Sequence, residues 1–366
     1  MSLEKPILNA NSKFVLVVHG GAGTMSRANS TPEKEAAYHA GLRATLRAGY
    51  QVLKDGGEAM DAAVAAVSVF EDNILFNAGK GAVFNTAGHN ELEASLMLSR
   101  PPFTHPEIPA TRRGLGLTLL TRIRNPSQLV RSLYLSPSKA PHVFLSATHA
   151  EELAVQEGFE LVDASYFFSL KRWKEHREGL GLPVLPLPSE AETDGDEDEL
   201  GMNPKGTVGA VALDIRGCIA AATSTGGRTN KLPGRIGDTP HMGSGFWAEE
   251  WPVKGWIRRE WNKLWRGKET QGVGISGTGD GDYFIRHAAA ATMCHRVKFL
   301  GQTLDSAAQH TVDDLLNDGG TGGVIALDAD GNGMFAMALN CEGMYRGVIR
   351  EDGVSKTAIF SDDELR

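Results

Sequence analysis

The chain has 366 residues, a formal net charge of −8, and 41% hydrophobic against 22% charged residues, a globular balance with room for one large domain or two to three smaller ones. The acidic surplus argues against a dedicated nucleic-acid binder, and no apolar run approaches the roughly 20 residues of a membrane span. Three widely spaced cysteines (Cys218, Cys294, Cys341) and a polar start over residues 1–13 exclude a secreted disulfide framework, so a reducing, cytoplasmic setting is expected and the Asn29-Ser30-Thr31 sequon is expected to stay unused.

Residues 14–18 are a β-branched apolar run ending in His19-Gly20-Gly21-Ala22-Gly23, which reads as a buried strand stopped by glycines. His19 has no carboxylate or cysteine beside it and reads as structural. Pro32-Glu33 opens a helical pattern that closes near Lys54 at Asp55-Gly56-Gly57. An Ala- and Val-rich helix over 59–70 has side chains small enough to pack closely on a sheet. A loop over 77–85 precedes strands near 91–97 and 114–121. A helix starting at Asn125-Pro126, a strand over 142–147, and helices over 150–156 and 165–178 follow.

Composition changes at residue 183. Residues 183–205 hold four prolines, two glycines and seven acidic residues from Glu190 to Glu199, with few apolar anchors, and read as a flexible linker. A strand pattern follows at once over 207–213, then a turn at 214–217 and a second strand over 218–223. A similar hairpin is expected over 323–339. Between the two hairpins, Trp247, Trp251, Trp256, Trp261 and Trp265 share a window with Arg258, Arg259, Lys263 and Arg266. This stretch, 247–268, reads as an inserted helical hairpin that packs its indoles on the protein's own body or on a second copy. Helices are expected over 283–297 and 304–316. Hairpins in both halves imply largely antiparallel sheets with helices outside.

Two nucleotide-like strings fail on context. Gly272-Val273-Gly274-Ile275-Ser276-Gly277 fits G-x-G-x-x-G but reads as part of a strand, where the dinucleotide motif needs a turn between strand and helix. Gly79-Lys80-Gly81 lacks the spacing and the Ser/Thr of a P-loop. No H-E-x-x-H or similar cluster supports metal catalysis.

The junction Gly206-Thr207 is the informative point. A hydroxyl on the first residue of a strand can attack the carbonyl before it, form an ester, and let water finish the cleavage. A glycine before it leaves that carbonyl unshielded. The product is a threonine with a free α-amine. Threonine is a poor nucleophile without a base, and an α-amine with a reference pKa of about 7.7–8.0 supplies one.

The strings Thr207-Val208-Gly209-Ala210-Val211-Ala212-Leu213-Asp214, Ala221-Ala222-Thr223-Ser224-Thr225-Gly226-Gly227 and Thr229-Asn230-Lys231-Leu232-Pro233-Gly234-Arg235-Ile236-Gly237-Asp238 resemble the plant-type L-asparaginase/isoaspartyl peptidase family of N-terminal nucleophile hydrolases. Supporting matches are His19–Gly23, Phe76-Asn77-Ala78-Gly79, Glu93-Ala94-Ser95, Gly277-Thr278-Gly279 and Glu342-Gly343-Met344-Tyr345-Arg346-Gly347. The resemblance implies an α/β (α+β) four-layer αββα sandwich with mostly antiparallel sheets. It implies one domain over 1–366, self-cleaved into an α subunit (1–206) and a β subunit (207–366) that assemble as a homodimer of αβ units.

It also implies roles. Thr207 is the nucleophile and its amine the base, Thr225 bonds near that hydroxyl, and Asn77 supports the nucleophile region. Thr278 and the Gly279 backbone N–H form an oxyanion hole. Arg235 takes the substrate α-carboxylate, and Asp238 with Gly281 takes its α-ammonium. A loop formed by Phe70, Glu71, Asn73, Phe76, Ala78 and Lys80 binds a monovalent cation, usually sodium, through backbone carbonyls. No other cofactor is implied. The expected activity is release of ammonia from L-asparagine, cleavage of β-aspartyl dipeptides, or both, on small molecules and with no nucleic-acid or membrane partner. The alternatives are a glycosylasparaginase, a taspase-like threonine endopeptidase, and a non-catalytic binding protein on the same fold. The Trp/Arg stretch, Lys205, Asp280, Asp282 and Cys341 depart from the family pattern without touching the nucleophile.

Overall fold

The computed structural model describes residues 13–23, 25–184, 206–253, 270–329 and 333–366. Most of the expected linker and residues 254–268 of the Trp/Arg stretch lie outside them. Two sheets dominate. The larger runs in the order β12-β11-β1-β5-β6-β2-β3-β4 and the smaller in the order β10-β9-β8-β7. The strands are β1 (Val15–Ala22), β2 (Leu92–Leu98), β3 (Gly114–Leu120), β4 (Phe144–Ser146), β5 (Val208–Leu213), β6 (Ile219–Thr225), β7 (Phe246–Pro252), β8 (Thr270–Gly279), β9 (Gly322–Asp328), β10 (Phe335–Leu339), β11 (Gly343–Arg350) and β12 (Lys356–Phe360). All pairings are antiparallel except β3 with β4.

Strand alternation builds the layers. Val15 and Val17 of β1, with Val211 and Leu213 of β5, point to Ile325 and Leu327 of the smaller sheet. Leu16, Val18, Ala210 and Ala212 point the other way, onto α1 (Pro32–Lys54) and α2 (Ala59–Glu71). The outer face of the smaller sheet, through Val273, Ile275, Val324 and Ala326, packs on α7 (Ala289–Leu300) and α8 (Leu304–Asn317). Helix, sheet, sheet, helix is the expected four-layer sandwich. Burial on both faces explains why β5 and β6 read as near-continuous apolar runs.

α1 and α2 lie where the pattern placed them. α1 starts on a Thr31 cap, whose side chain accepts from the Lys34 N–H. Four expectations change. The helix expected over 165–178 breaks into a short 3-10 turn (Ala164–Phe167) and α5 (Leu170–Gly179), restarted by a Ser169 cap. α3 (Pro126–Leu135) and α4 (Ala147–Gln156) precede it, and α4 takes Ala147 from the expected strand, which shrinks to β4. The helix expected over 283–297 is two, α6 (Gly281–His287) and α7, separated by Ala288 at φ 44°. The insert expected from 247 is corrected at its start. Trp247 and Trp251 belong to β7, which pairs with β8 through seven residues, and Trp251 is buried in the smaller-sheet core. Trp256, Trp261 and Trp265 lie outside the described residues.

Candidate active site

Thr207 immediately precedes β5, a central strand of the larger sheet, and Thr278-Gly279 ends β8, an inner strand of the smaller one. Packing the two sheets brings these ends together. Thr207, Thr225, Gly227, Arg228, Arg235, Asp238, Gly279, Gly281 and Glu93 line one small pocket. The pocket therefore gathers most of the expected site residues from three separate stretches of chain.

The surroundings of Thr207 are uncharged. Its hydroxyl lies 3.1 Å from the Thr239 hydroxyl. The Thr239 carbonyl is fixed in turn by the hydroxyls of Ser95, at 2.6 Å, and Thr223, at 3.2 Å. The Thr207 carbonyl accepts from His19 Nδ1 at 2.9 Å, which leaves Nε2 to accept from the Ser276 hydroxyl at 2.7 Å. Full burial pushes the His19 pKa down to about 3 despite the bond to Thr207, so the ring is neutral and acts as a fixed donor. His19 is structural, as expected, and what it holds is Thr207.

Thr225 and Asn77 meet on the loop that follows β6. The Thr225 hydroxyl accepts the Gly227 N–H at 2.9 Å, and the hydroxyl facing Thr207 is that of Thr239. Asn77 acts on the same loop: its Nδ2 donates to the Gly227 carbonyl at 2.7 Å and its Oδ1 accepts from the Val83 N–H at 3.1 Å. These two bonds shape the turn after Thr225.

Gly206 sits between the glycine-rich end of β1 and Thr278. A Cβ at 206 would fall 2.5 Å from the Ala22 nitrogen, 2.6 Å from Gly21 Cα and 2.6 Å from Thr278 Oγ1. Only glycine fits there without displacing the bond to Thr207. The Thr278 hydroxyl is itself buried and has no hydrogen-bond partner among the described residues. An unpaired buried hydroxyl is costly, and this one stands against Gly206 with its bonding capacity unused among the described residues.

The opposite wall is charged. Asp238 is buried, and its Oδ2 has no partner among the described residues. Burial first, and the nearby Glu93 second, push its pKa up to about 7, opposed by Arg235. Glu93 is raised for the same reason, burial, although Lys231 and the Gly237 N–H at 2.8 Å favour its charge. Lys231, pulled down by burial, donates to the Glu91 carbonyl at 2.7 Å. Arg235 reaches Asp282 at 2.8 Å. Gly281 lies so close to Asp238 Oδ1 that a Cβ there would collide with it. An anion and a cation thus share one wall, and both the cation's and the anion's neighbours are in place before any ligand arrives.

The 70–80 loop was expected to hold a cation through carbonyls. The Phe70 carbonyl takes the Asn73 N–H, that of Phe76 the Ala78 N–H, and that of Ala78 the Gly81 N–H. Gly79, at φ 50°, lies against the Glu71 carbonyl in a space that a Cβ would fill. The Glu71 side chain turns away to Ser127, with its pKa pushed up to about 7 by burial. Phe70, Glu71, Phe76 and Ala78 of the expected carbonyl set thus lie on one short loop closed by Gly79.

An Asparaginase family model matches residues 12–252 and 268–359. The chain belongs to the asparaginase family. Residues 253–267 fall outside the match, within the Trp/Arg stretch. The chain is 35% identical over 356 residues to an isoaspartyl peptidase of Escherichia coli (strain K12), covering 93% of this chain and 98% of that protein. It is 34% identical over 337 residues to an isoaspartyl peptidase of Salmonella typhimurium, covering 92% and 95%. It is 32% identical over 325 residues to an isoaspartyl peptidase/L-asparaginase of Xenopus laevis, covering 87% of each.

Of the expected residues, Thr207, Arg235 and Asp238 line the pocket and Thr278 stands against Gly206, while Thr239, Ser276, Lys231 and Glu93, which adjoin them, were not among the expected ones. Glu93 carried the clearest unused signal, an acid inside the apolar run Leu92–Leu98.

Proposed function

We propose that this chain is a threonine amidohydrolase that cleaves its own Gly206–Thr207 bond and then hydrolyses L-asparagine and β-aspartyl dipeptides. The observation that carries the reading is one pocket holding Thr207 beside the Arg235/Asp238 pair, with the unpaired Thr278 hydroxyl against Gly206.

In the first step the Thr207 hydroxyl adds to the Gly206 carbonyl. The Thr278 hydroxyl and the Gly279 N–H stabilise the developing oxyanion, the amide becomes an ester, and water hydrolyses it. The freed α-amine then accepts the hydroxyl proton in each turnover, while His19 and Thr239 hold the residue in place. Arg235 binds the substrate α-carboxylate with two N–H groups, and Asp238 with Gly281 binds the α-ammonium. The amide or peptide nitrogen leaves, and water releases aspartate from Thr207. The bacterial relatives, as isoaspartyl peptidases, and the frog relative, as an isoaspartyl peptidase/L-asparaginase, together support both substrate types. The Arg/Asp pair favours a free amino acid end over the internal bond of an endopeptidase substrate or a binding-only role.

We further expect the carbonyls of Phe70, Glu71, Asn73, Phe76, Ala78 and Lys80 to hold sodium, which would stiffen the loop that places Asn77. Among the described residues no helix is long and apolar enough to cross a membrane. A reducing, cytoplasmic compartment fits three free cysteines, two of them buried. A homodimer of cleaved αβ units remains the expected assembly, which size-exclusion chromatography with light scattering tests.

Mass spectrometry of the purified protein should find fragments 1–206 and 207–366, the second beginning Thr-Val-Gly, and Thr207→Ala should stay full length. Ammonia release from L-asparagine and aspartate release from β-aspartyl dipeptides should accompany cleavage. A wild-type chain that stays intact after long incubation and hydrolyses neither substrate would overturn the proposal.

A further inference from the structure

The pocket carries a second guanidinium for which the reaction above has no use. Arg228 lines it together with Thr207, Arg235 and Asp238. It falls between the two strings, ending at Gly227 and starting at Thr229, that carry the family resemblance. Its side chain is 58% exposed and stands 3.9 Å from Asp280 Oδ1, while Asp280 Oδ2 accepts from the Thr321 N–H and hydroxyl at 3.3 Å each. Arg235, by contrast, is 18% exposed and 2.8 Å from Asp282. Two Arg–Asp pairs therefore flank one pocket, the inner one tight and the outer one loose.

The two candidate substrates differ in one charge. L-Asparagine brings one carboxylate and one ammonium, which Arg235 and Asp238 already match. A β-aspartyl dipeptide brings a second carboxylate, on the leaving residue, across the scissile amide from the aspartyl α-groups. The unmatched cation of the pocket is Arg228, exposed at its mouth, loosely paired and fork-shaped for a carboxylate.

We propose that Arg228 receives the α-carboxylate of the leaving residue and so sets a preference for β-aspartyl dipeptides with a free C-terminus. The assignment rests on the amidohydrolase reading above. Asp280, anchored on Thr321, keeps the guanidinium at the mouth until the substrate carboxylate joins it.

The test compares β-aspartyl-alanine, its C-terminal amide and L-asparagine as substrates of the self-cleaved enzyme. Wild type should favour the free acid over the amide in kcat/KM by about tenfold, the scale of one partly exposed charge pair. Arg228→Met should lower the free-acid to amide ratio by about tenfold, mainly through KM, and Arg228→Lys should fall between. If Arg228→Met does not self-cleave, Asp280→Asn gives a second reading and should lower the ratio about twofold to threefold. Equal rates on free acid and amide in wild type, or an unchanged ratio in Arg228→Met, would overturn the role of Arg228 alone. Failure of wild type to hydrolyse any of the three would remove the amidohydrolase reading and this one with it.

Discussion

The two walls of the pocket are built on opposite electrostatic principles. Around Thr207 stand hydroxyls, a carbonyl and an imidazole held neutral: Thr239, Ser276 and His19. Across from it stand Glu93, Lys231, Arg235, Asp238 and Asp282, all charged or poised to be. The contrast separates two tasks. A hydroxyl that must give its proton to a weak base is served by fixed dipoles that do not compete for that proton. A zwitterion is recognised by fixed charges, and these can be kept buried only where several of both signs offset one another.

The largest effect should come from the seam between the walls. Gly206→Ala pushes a Cβ into Ala22, Gly21 and Thr278, and a displacement approaching 1 Å at the scissile bond can cost about 100-fold. Self-cleavage followed on denaturing gels should slow by about that factor or stop. Cleavage at the wild-type rate would mean that the neutral wall is not tightly set.

Next comes the charged wall. Asp238→Asn should lower kcat/KM for L-asparagine by about 100-fold, the scale of losing one buried charge partner. The wild-type KM should rise as pH falls below about 7, where Asp238 takes up a proton, and this rise should vanish in the variant. Stability should move the other way. Between the ordinary value of 3.8 and about 7 the native protein keeps a proton that the unfolded chain has lost, so stability falls as pH rises through that window. Asp238→Asn should therefore melt about 3 °C above wild type at pH 8 and level with it near pH 4. No pH-dependent difference would show that Asp238 is not strained in its charged form.

On the neutral wall, His19→Gln should slow self-cleavage by about tenfold through loss of the fixed donor to Thr207. Since the ring is neutral far below its usual range, the wild-type cleavage rate should show no inflection near pH 6.5. An inflection there that disappears in His19→Gln would mean that this wall does carry charge. The smallest effect should be that of sodium. Replacing choline chloride by sodium chloride at equal ionic strength should raise the melting temperature by about 2 °C, as expected for a cation at several times its Kd. No shift would remove the cation from the 70–80 loop.

The sequence disclosed what is local and little of what is paired across the chain. Thr207 announced itself by the change from a Pro- and acid-rich stretch to an apolar strand, and Arg235 and Asp238 by sitting three apart after Pro233-Gly234. The bounds of α1 followed from Thr31, Pro32 and Asp55-Gly56. The partners of Thr207 could not be found this way. His19 meets it across 188 residues and is itself held by Ser276 across 257, contacts that exist only once β1, β5 and β8 are stacked. The break between α6 and α7 falls at Ala288, whose positive φ no alanine advertises. Trp247 and Trp251 misled because their alternation in β7 was read as part of a Trp-rich insert.

The position of Thr278 has a consequence for how the chain can vary. In the proposed mechanism one hydroxyl serves two reactions in succession, a single intramolecular event on Gly206 and then every later turnover on a diffusing substrate. A replacement at Thr278 cannot tune one without disturbing the other, because both draw on the same hydroxyl. Under that mechanism maturation would act as a proofreading step: a chain whose oxyanion site is misbuilt would never unveil its nucleophile, and defective copies would stay inert rather than become poor enzymes.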